Sequence, residues 1–311
     1  MNVNRKNDSM KKILVVGSLN MDTVIETPRI PVPGETIMGN GIKHVPGGKG
    51  ANQVYTIGKL GGDVSMIGAV GDDSFGDAML ENLKSVNVNV EGIERIPGGT
   101  TGQAFIPVDA NGENSIIVVG GTNSLVDENL LKKYEYLMDE ADIVVMQQEI
   151  PLDTVMKAKE MALAKGKTII VDPAPAAAMP EEFWKDIDYI KPNETELGIL
   201  IGRELHSKEE YKEAAHEMLK KGVKHLLVTL GSKGCLLMSE EGEEFLPANK
   251  VKAVDTTAAG DCFTGAFAVA ISQGKSEKDA IAFAQKASAI AVTRSGAQSS
   301  VPSLEEVLES L

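Results

Sequence analysis

The stretch Ile143-Val144-Val145-Met146, then the amphipathic segment Leu152 to Ala164, then Thr168-Ile169-Ile170-Val171, decides how this chain folds. Both four-residue runs are apolar without alternation, which suits a strand covered on both faces. The segment between them sets apolar residues three or four positions apart, the mark of a helix with one face turned to a core. Strand, helix and strand in that order make one βαβ crossover. Working outward, Ile13-Leu14-Val15-Val16-Gly17, Val64 to Val70 and His225 to Thr229 read as further buried strands, while Asp127 to Met138 and Ser207 to Lys220 read as further helices. The alternation from about residue 120 to 230 predicts an α/β fold of three layers, a mostly parallel sheet with helices on both faces.

Two stretches interrupt that pattern. Thr23 to Val45 and Ile93 to Val119 hold the turns Pro31-Val32-Pro33-Gly34, Pro97-Gly98-Gly99 and Asp109-Ala110-Asn111-Gly112 between short β-rich runs. Asn111-Gly112 is a strong hairpin signal. Both stretches fit a small antiparallel sheet inserted beside the body, a β-lid whose uncovered edges would pair with a second copy to give a homodimer. The expected organisation is one domain over 10–311 with the lid drawn from 23–45 and 93–119. Residues 1–9 are polar and are expected to form a disordered extension, Met10-Lys11-Lys12 being itself a plausible start. Near the C-terminus, Gly260 to Gly274 and Glu277 to Thr293 read as two Ala-rich helices that pack together.

Charge and composition exclude several classes. Asp and Glu total 45 against 31 Lys and Arg, a formal charge of -14, the wrong sign for generic nucleic-acid binding. A local nest of amides or a bound cation could still hold one anionic ligand. Cys235 and Cys262 are too few and too far apart for a disulfide framework or zinc ribbon, and the four histidines show no metal-binding spacing. No apolar run approaches the roughly 18 residues of a membrane span, so no membrane partner is expected and the expected location is cytoplasmic.

Four motifs carry chemistry. In Asp255-Thr256-Thr257-Ala258-Ala259-Gly260-Asp261 a loop of small residues runs directly into a helix, so backbone N–H groups can converge on an anion with the helix dipole aiding them. An ordinary helix start with Asp261 as its N-terminal charge also fits. Gly47-Gly48-Lys49-Gly50-Ala51-Asn52 lacks the Ser or Thr of a phosphate-binding P-loop, and its cation and amide on a helix start suit a polyol. A plain turn is the alternative. Gly17-Ser18-Leu19-Asn20-Met21-Asp22 lies at the carboxyl end of the first strand, where open α/β sheets bind ligands, and Glu149 sits equivalently after Ile143 to Met146. Asn193 and Glu196, in Lys191-Pro192-Asn193-Glu194-Thr195-Glu196, have capping-box spacing and could equally orient the water shell of Mg²⁺.

In order and spacing, from about Lys12 to Pro302, these motifs resemble those of the pfkB carbohydrate kinases. Within that family the likeness is greatest to members that phosphorylate ribose. The resemblance implies ATP-dependent phosphorylation of the 5-hydroxyl of D-ribose, the alternative being another sugar or nucleoside kinase of the family. It implies that Asn20, Asp22, Gly48, Lys49, Asn52 and Glu149 bind the sugar, that Asp261 is the catalytic base, and that Ala258, Ala259 and Gly260 form the anion hole. Asn193 and Glu196 would organise Mg²⁺ through water, and Thr229, Gly231, Ser232 and Gly234 would line the ATP site. Asp255, Thr257, Ala291, Arg294, Gly296 and Ser300 would surround a monovalent cation, K⁺. A nicotinamide-dependent oxidoreductase fits less well, because no GxGxxG follows the first strand. A non-catalytic sugar-binding protein on the same fold would show no ATP turnover.

Overall fold

The computed structural model describes residues 10–309; the expected extension over 1–9 lies outside them. The strands are β1 (Ile13–Val16), β2 (Asn20–Glu26), β3 (Gly41–Gly47), β4 (Val64–Gly71), β5 (Ile93–Ile96), β6 (Gly102–Val108), β7 (Ile117–Val119), β8 (Ile143–Met146), β9 (Thr168–Val171), β10 (Tyr189–Ile190), β11 (His225–Thr229), β12 (Gly234–Ser239) and β13 (Gly242–Pro247). The helices are α1 (Lys49–Lys59), α2 (Ser74–Lys84), α3 (Glu128–Lys133), α4 (Glu135–Glu140), α5 (Leu152–Ala164), α6 (Glu194–Ile201), α7 (Lys208–Lys220), α8 (Ala259–Ser272), α9 (Glu277–Ala291) and α10 (Leu304–Glu309).

Nine strands form one sheet in the order β13-β12-β11-β10-β9-β8-β1-β4-β5. From β5 through β11 every neighbouring pair is parallel, and β12 and β13 close one edge as an antiparallel hairpin. All four residues of β1 are buried, and they alternate between two cores. Ile13 and Val15 pack with α1, α2, α8 and α9, whereas Leu14 and Val16 face the layer of α3 to α7. A strand with helices on both sides has no polar face to offer, which is why these runs are apolar throughout.

The remaining strands form a four-stranded sheet, β3-β2-β6-β7. It departs from the expected lid in three ways. Its strand β2 starts at Asn20, so the Asn20-Met21-Asp22 motif lies on the lid itself and not on a loop of the body. β5 does not belong to it: Ile93 is buried, and β5 lies parallel to β4 in the large sheet. The lid is also mixed, because β2 pairs antiparallel with β3 but parallel with β6, as strands joined through β3, α1, β4, α2 and β5 rather than by a hairpin can do. The Asn111-Gly112 hairpin does form, joining antiparallel β6 and β7.

The predicted helix over 127–138 is two helices. Asp127 caps α3, but Tyr134 leaves the helical conformation (φ −108°, ψ 21°) and its hydroxyl donates to Glu94 Oε2 at 2.6 Å before α4 begins. Near the C-terminus, α8 and α9 pack against each other, with Phe263, Phe267 and Phe283 in their shared core.

Candidate active site

The site collects at the carboxyl ends of the parallel strands. β3 ends at Gly47 and the chain enters α1 through Gly48, whose φ of +85° favours glycine. Close approach matters as much: a Cβ on Gly48 would sit 2.8 Å from the Asn20 nitrogen, and one on Gly47 would overlap the Asp22 carboxylate. Asn123, almost wholly buried, orients this corner. Its Oδ1 accepts from the Leu19 N–H at 2.9 Å and its Nδ2 donates to Asn20 Oδ1 at 2.7 Å, so the amide nitrogen is the end of Asn20 left for a ligand. Glu149 ties body to helix, accepting from Ser18 Oγ at 2.6 Å and from the Lys49 N–H at 2.9 Å.

Among the described residues no hydrogen bond reaches the Asp22 carboxyl; burial, reinforced by the carboxylates of Glu149 and Asp261, pushes it up to about 7. The Lys49 ammonium is held above the usual lysine range chiefly by Asp261, against the opposing effect of burial, with help from Asp172, Glu149 and Glu196.

Asp261 stands in the first turn of α8 and is 5% exposed. Consecutive residues of α1 grip both of its oxygens: Asn52 Nδ2 donates to Oδ2 at 2.9 Å and Gln53 Nε2 to Oδ1 at 3.0 Å. Ala258 takes a left-handed conformation (φ +57°) as N-cap and has no side chain with which to cap. The backbone N–H groups of Gly260 and Asp261 therefore have no partner among the described residues. This stretch is a helix start, and one with unspent donors.

Four further residues complete the centre, Gln53, Gln147, Asp172 and Lys191, none of which the motifs gave a role. Gln53 Nε2 also donates to Asp172 Oδ2 at 2.8 Å, and Gln147 Nε2 donates to Gln53 Oε1 at 2.7 Å. Asp172 follows β9 directly, is 1% exposed, and pairs with Lys191 Nζ at 3.2 Å. Burial pushes the Asp172 carboxyl up, while the ammonium groups of Lys191 and Lys49 pull it down. Its position after a buried strand matches that of Glu149 and was the available signal.

Asn193 and Glu196 form the full capping box of α6, each side chain bonded to the other's backbone N–H at 2.8 Å. Burial, with Asp172 adding to it, raises the Glu196 carboxyl. Asn193 is bridged to Thr229, which opens the turn between β11 and β12. In that turn Gly231 (φ +53°), Ser232 and Gly234 (φ +124°) run into β12, and Gly234 pairs with Pro247 of β13. A cleft of about 330 Å³, lined by Leu246, Pro247, Asn249, Ala282 and Gln285, adjoins this turn.

Of the six residues assigned to a monovalent ion, three converge. Asp255 accepts from the Thr257 N–H at 2.9 Å and from the Gly296 N–H at 2.8 Å. Burial works against this carboxylate, but the Thr257 hydroxyl together with the N–H groups of Gly296 and Thr257 outweighs it and holds the carboxyl below the usual range. The Arg294 guanidinium is engaged by Glu306 at 2.5 Å, leaving only its carbonyl for an ion. The Ala291 carbonyl accepts from the Arg294 N–H, and the Ser300 hydroxyl donates to the Ala297 carbonyl at 2.7 Å, so neither bonds to Asp255. Among the described residues no cluster of three or more His, Cys, Asp or Glu forms a ready metal cage.

A gripped carboxylate, unspent amides at a helix start and a polar acceptor corner at the head of a parallel sheet are the parts of an α/β phosphotransferase. Residues 10–304 match the model of the pfkB family carbohydrate kinases. The chain is 42% identical to the ribokinase of Schizosaccharomyces pombe, covering 96% of this chain and 97% of that one. Its structure is similar to that of ribokinase from Thermotoga maritima (TM-score 0.89, 40% identity, 96% and 98% covered). It is also similar to Arabidopsis thaliana ribokinase complexed with ribose and ATP (TM-score 0.88, 34% identity, 97% and 98% covered). The chain belongs to the pfkB family of carbohydrate kinases.

Proposed function

We propose that this protein transfers the γ-phosphoryl group of ATP to the 5-hydroxyl of D-ribose. The observation that carries the reading is Asp261, held by Asn52 and Gln53 beside the unpartnered N–H groups of Gly260 and its own backbone. The full-length likeness to a ribokinase solved with ribose and ATP supports the choice of substrates. In this reading Asn20, Asp22, Gly48, Lys49, Asn52 and Glu149 hold the sugar, and Asp261 takes the proton of its 5-hydroxyl as the new O–P bond forms and the bridging O–P bond to ADP breaks. Ala258, Ala259 and Gly260 shape the corner in which the moving phosphoryl oxygens meet backbone donors.

Thr229, Gly231, Ser232 and Gly234 line the nucleotide side, with the base in the adjoining cleft. The centre gathers the carboxylates of Asp22, Glu149, Asp172, Glu196 and Asp261 against the ammonium groups of Lys49 and Lys191. That excess of negative charge suits a hard cation arriving with the triphosphate. Asn193 and Glu196 would hold Mg²⁺ through its water shell, and when bound it supplies positive charge to the phosphate oxygens. Asp255, Thr257 and Gly296, with the carbonyls of Ala291 and Arg294 and the nearby Ser300, would hold K⁺ beside the anion-hole loop.

The body over 10–311 acts as one domain with the lid inserted, and the protein works as a cytoplasmic homodimer joined through the lid. Ile117, Val118 and Val119 are each about half exposed or more on β7, whose outer edge has no strand partner among the described residues, and such an edge favours a second copy. No helix among the described residues is long and apolar enough to cross a membrane. The test is ADP release with ribose, deoxyribose, fructose and adenosine in turn, with Mg²⁺ and K⁺ present. Ribose should give the highest kcat/KM, and failure of ribose to stimulate ADP release would overturn the reading.

A further inference from the structure

Lys191 belongs to none of the roles assigned above, yet it is 4% exposed and lies between two parts of the site. Its ammonium is 3.2 Å from Asp172 Oδ2 and donates to the Gly260 carbonyl at 3.3 Å. It crowds that corner from behind, since a Cβ on Gly260 would lie 3.0 Å from Nζ. The same Asp172 oxygen also receives Gln53 Nε2 at 2.8 Å, the nitrogen that holds Asp261, and Thr264 Oγ1 of α8 at 3.3 Å. One Asp172 oxygen, Oδ1, is buried with no hydrogen-bond partner among the described residues. A buried ion pair with an unpaired oxygen is a poor device for stability, since apolar residues of similar volume often do as well. Its location gives it another use.

We infer that the Asp172–Lys191 pair is a positioning device for phosphoryl transfer, with Lys191 fixing the anion-hole corner and lending it positive charge, and Asp172 orienting the Gln53 amide that aims Asp261. The chain of contacts is continuous. Lys191 joins the Thr264 hydroxyl, at 3.0 Å, on the Gly260 carbonyl and so helps to fix the peptide that presents the neighbouring Asp261 N–H. Gln147 occupies the Gln53 oxygen, so the Gln53 nitrogen has to face the two carboxylates. Charge placed in advance where the phosphoryl oxygens gather charge acts on the transition state more than on bound sugar, so its loss lowers kcat and leaves KM nearly unchanged.

This inference rests on the proposed kinase reading, and wild-type turnover of ribose is the control that tests that reading separately. Lys191→Met should lower kcat about tenfold or more, with the KM for ribose within about twofold of wild type. Because Lys191→Met strands a buried carboxylate, the double variant Asp172→Asn with Lys191→Met, which removes both charges, keeps the test open if the single variant does not fold. The double variant should keep the low kcat while recovering thermal stability. Asp172→Asn alone retains the ammonium and should lose less turnover than the double variant. A folded double variant with kcat within twofold of wild type would overturn the inference, leaving the pair as packing. A loss in Asp172→Asn alone equal to that of the double variant would equally sink the role given to the Lys191 charge.

Discussion

Replacing Asp22 by Asn should make the ligand-free protein more stable above neutral pH while weakening its hold on the sugar. Asp22 sits half-buried on β2, and burial beside Glu149 and Asp261 raises its carboxyl from the ordinary 3.8 to about 7. Between those values the folded chain keeps a proton that the unfolded chain has released. Stability therefore falls as pH rises through the window, and above about pH 7 the whole penalty is present. The rise from 3.8 to about 7 corresponds to about 4 kcal/mol, which partial exposure reduces to about 2–3 kcal/mol. No hydrogen bond from the described residues ends on the Asp22 carboxylate, so Asn forfeits no partner among them. Urea denaturation of the ligand-free proteins should put Asp22→Asn ahead of wild type by about 2–3 kcal/mol near pH 8, with the gap closing toward pH 4. In the same variant, loss of a charged acceptor should weaken ribose binding about 10- to 100-fold, from the roughly 1.5–3 kcal/mol of a charge-assisted hydrogen bond. An Asp22→Asn protein no more stable than wild type near pH 8 would refute the argument, because the carboxylate would then carry no burial penalty.

Three other outcomes follow from the geometry. Asp261→Asn sets an amide against the donors of Asn52 and Gln53, and kcat should fall about 10²- to 10⁴-fold with ribose binding retained, measured by ADP release and calorimetry. Exchanging K⁺ for Na⁺ at fixed ionic strength should lower the rate, because Asp255 braces the loop that leads into α8; equal rates in the two salts would discredit that assignment. Val118→Lys on the open β7 edge should convert a dimer into a monomer in sedimentation velocity, and an unchanged sedimentation coefficient would remove the lid from the interface.

The body was legible because strands covered on both faces must be apolar, and β8, α5 and β9 fall where the runs at 143–171 predict them. The lid was harder. Nothing local in 20–26 or 102–108 announces that the two segments lie side by side and parallel, since their pairing is decided by everything between them. The sequence puts Asn20 and Asp22 just past the carboxyl end of the first strand, but nothing local announces that a second strand begins there at once. Gln53 is different again. Residues 50–58 of α1 are buried, so a polar side chain there needs an internal partner, but which partner depends on α8 and β9 closing around it. Lys191 and Asp172 are each ordinary at their own positions and become informative only as neighbours across the sheet.

The origin of β2 in the four-stranded sheet has a last consequence. Asn20 and Asp22 travel with that sheet, while Asp261 is anchored to the large one through α8. On the proposed reading, Asn20 and Asp22 would meet the sugar from the smaller sheet while Asn52 and Asp261 meet it from the helices of the larger one, so a pentose touching both would bring them into register where a water molecule would not, sparing ATP from hydrolysis by solvent.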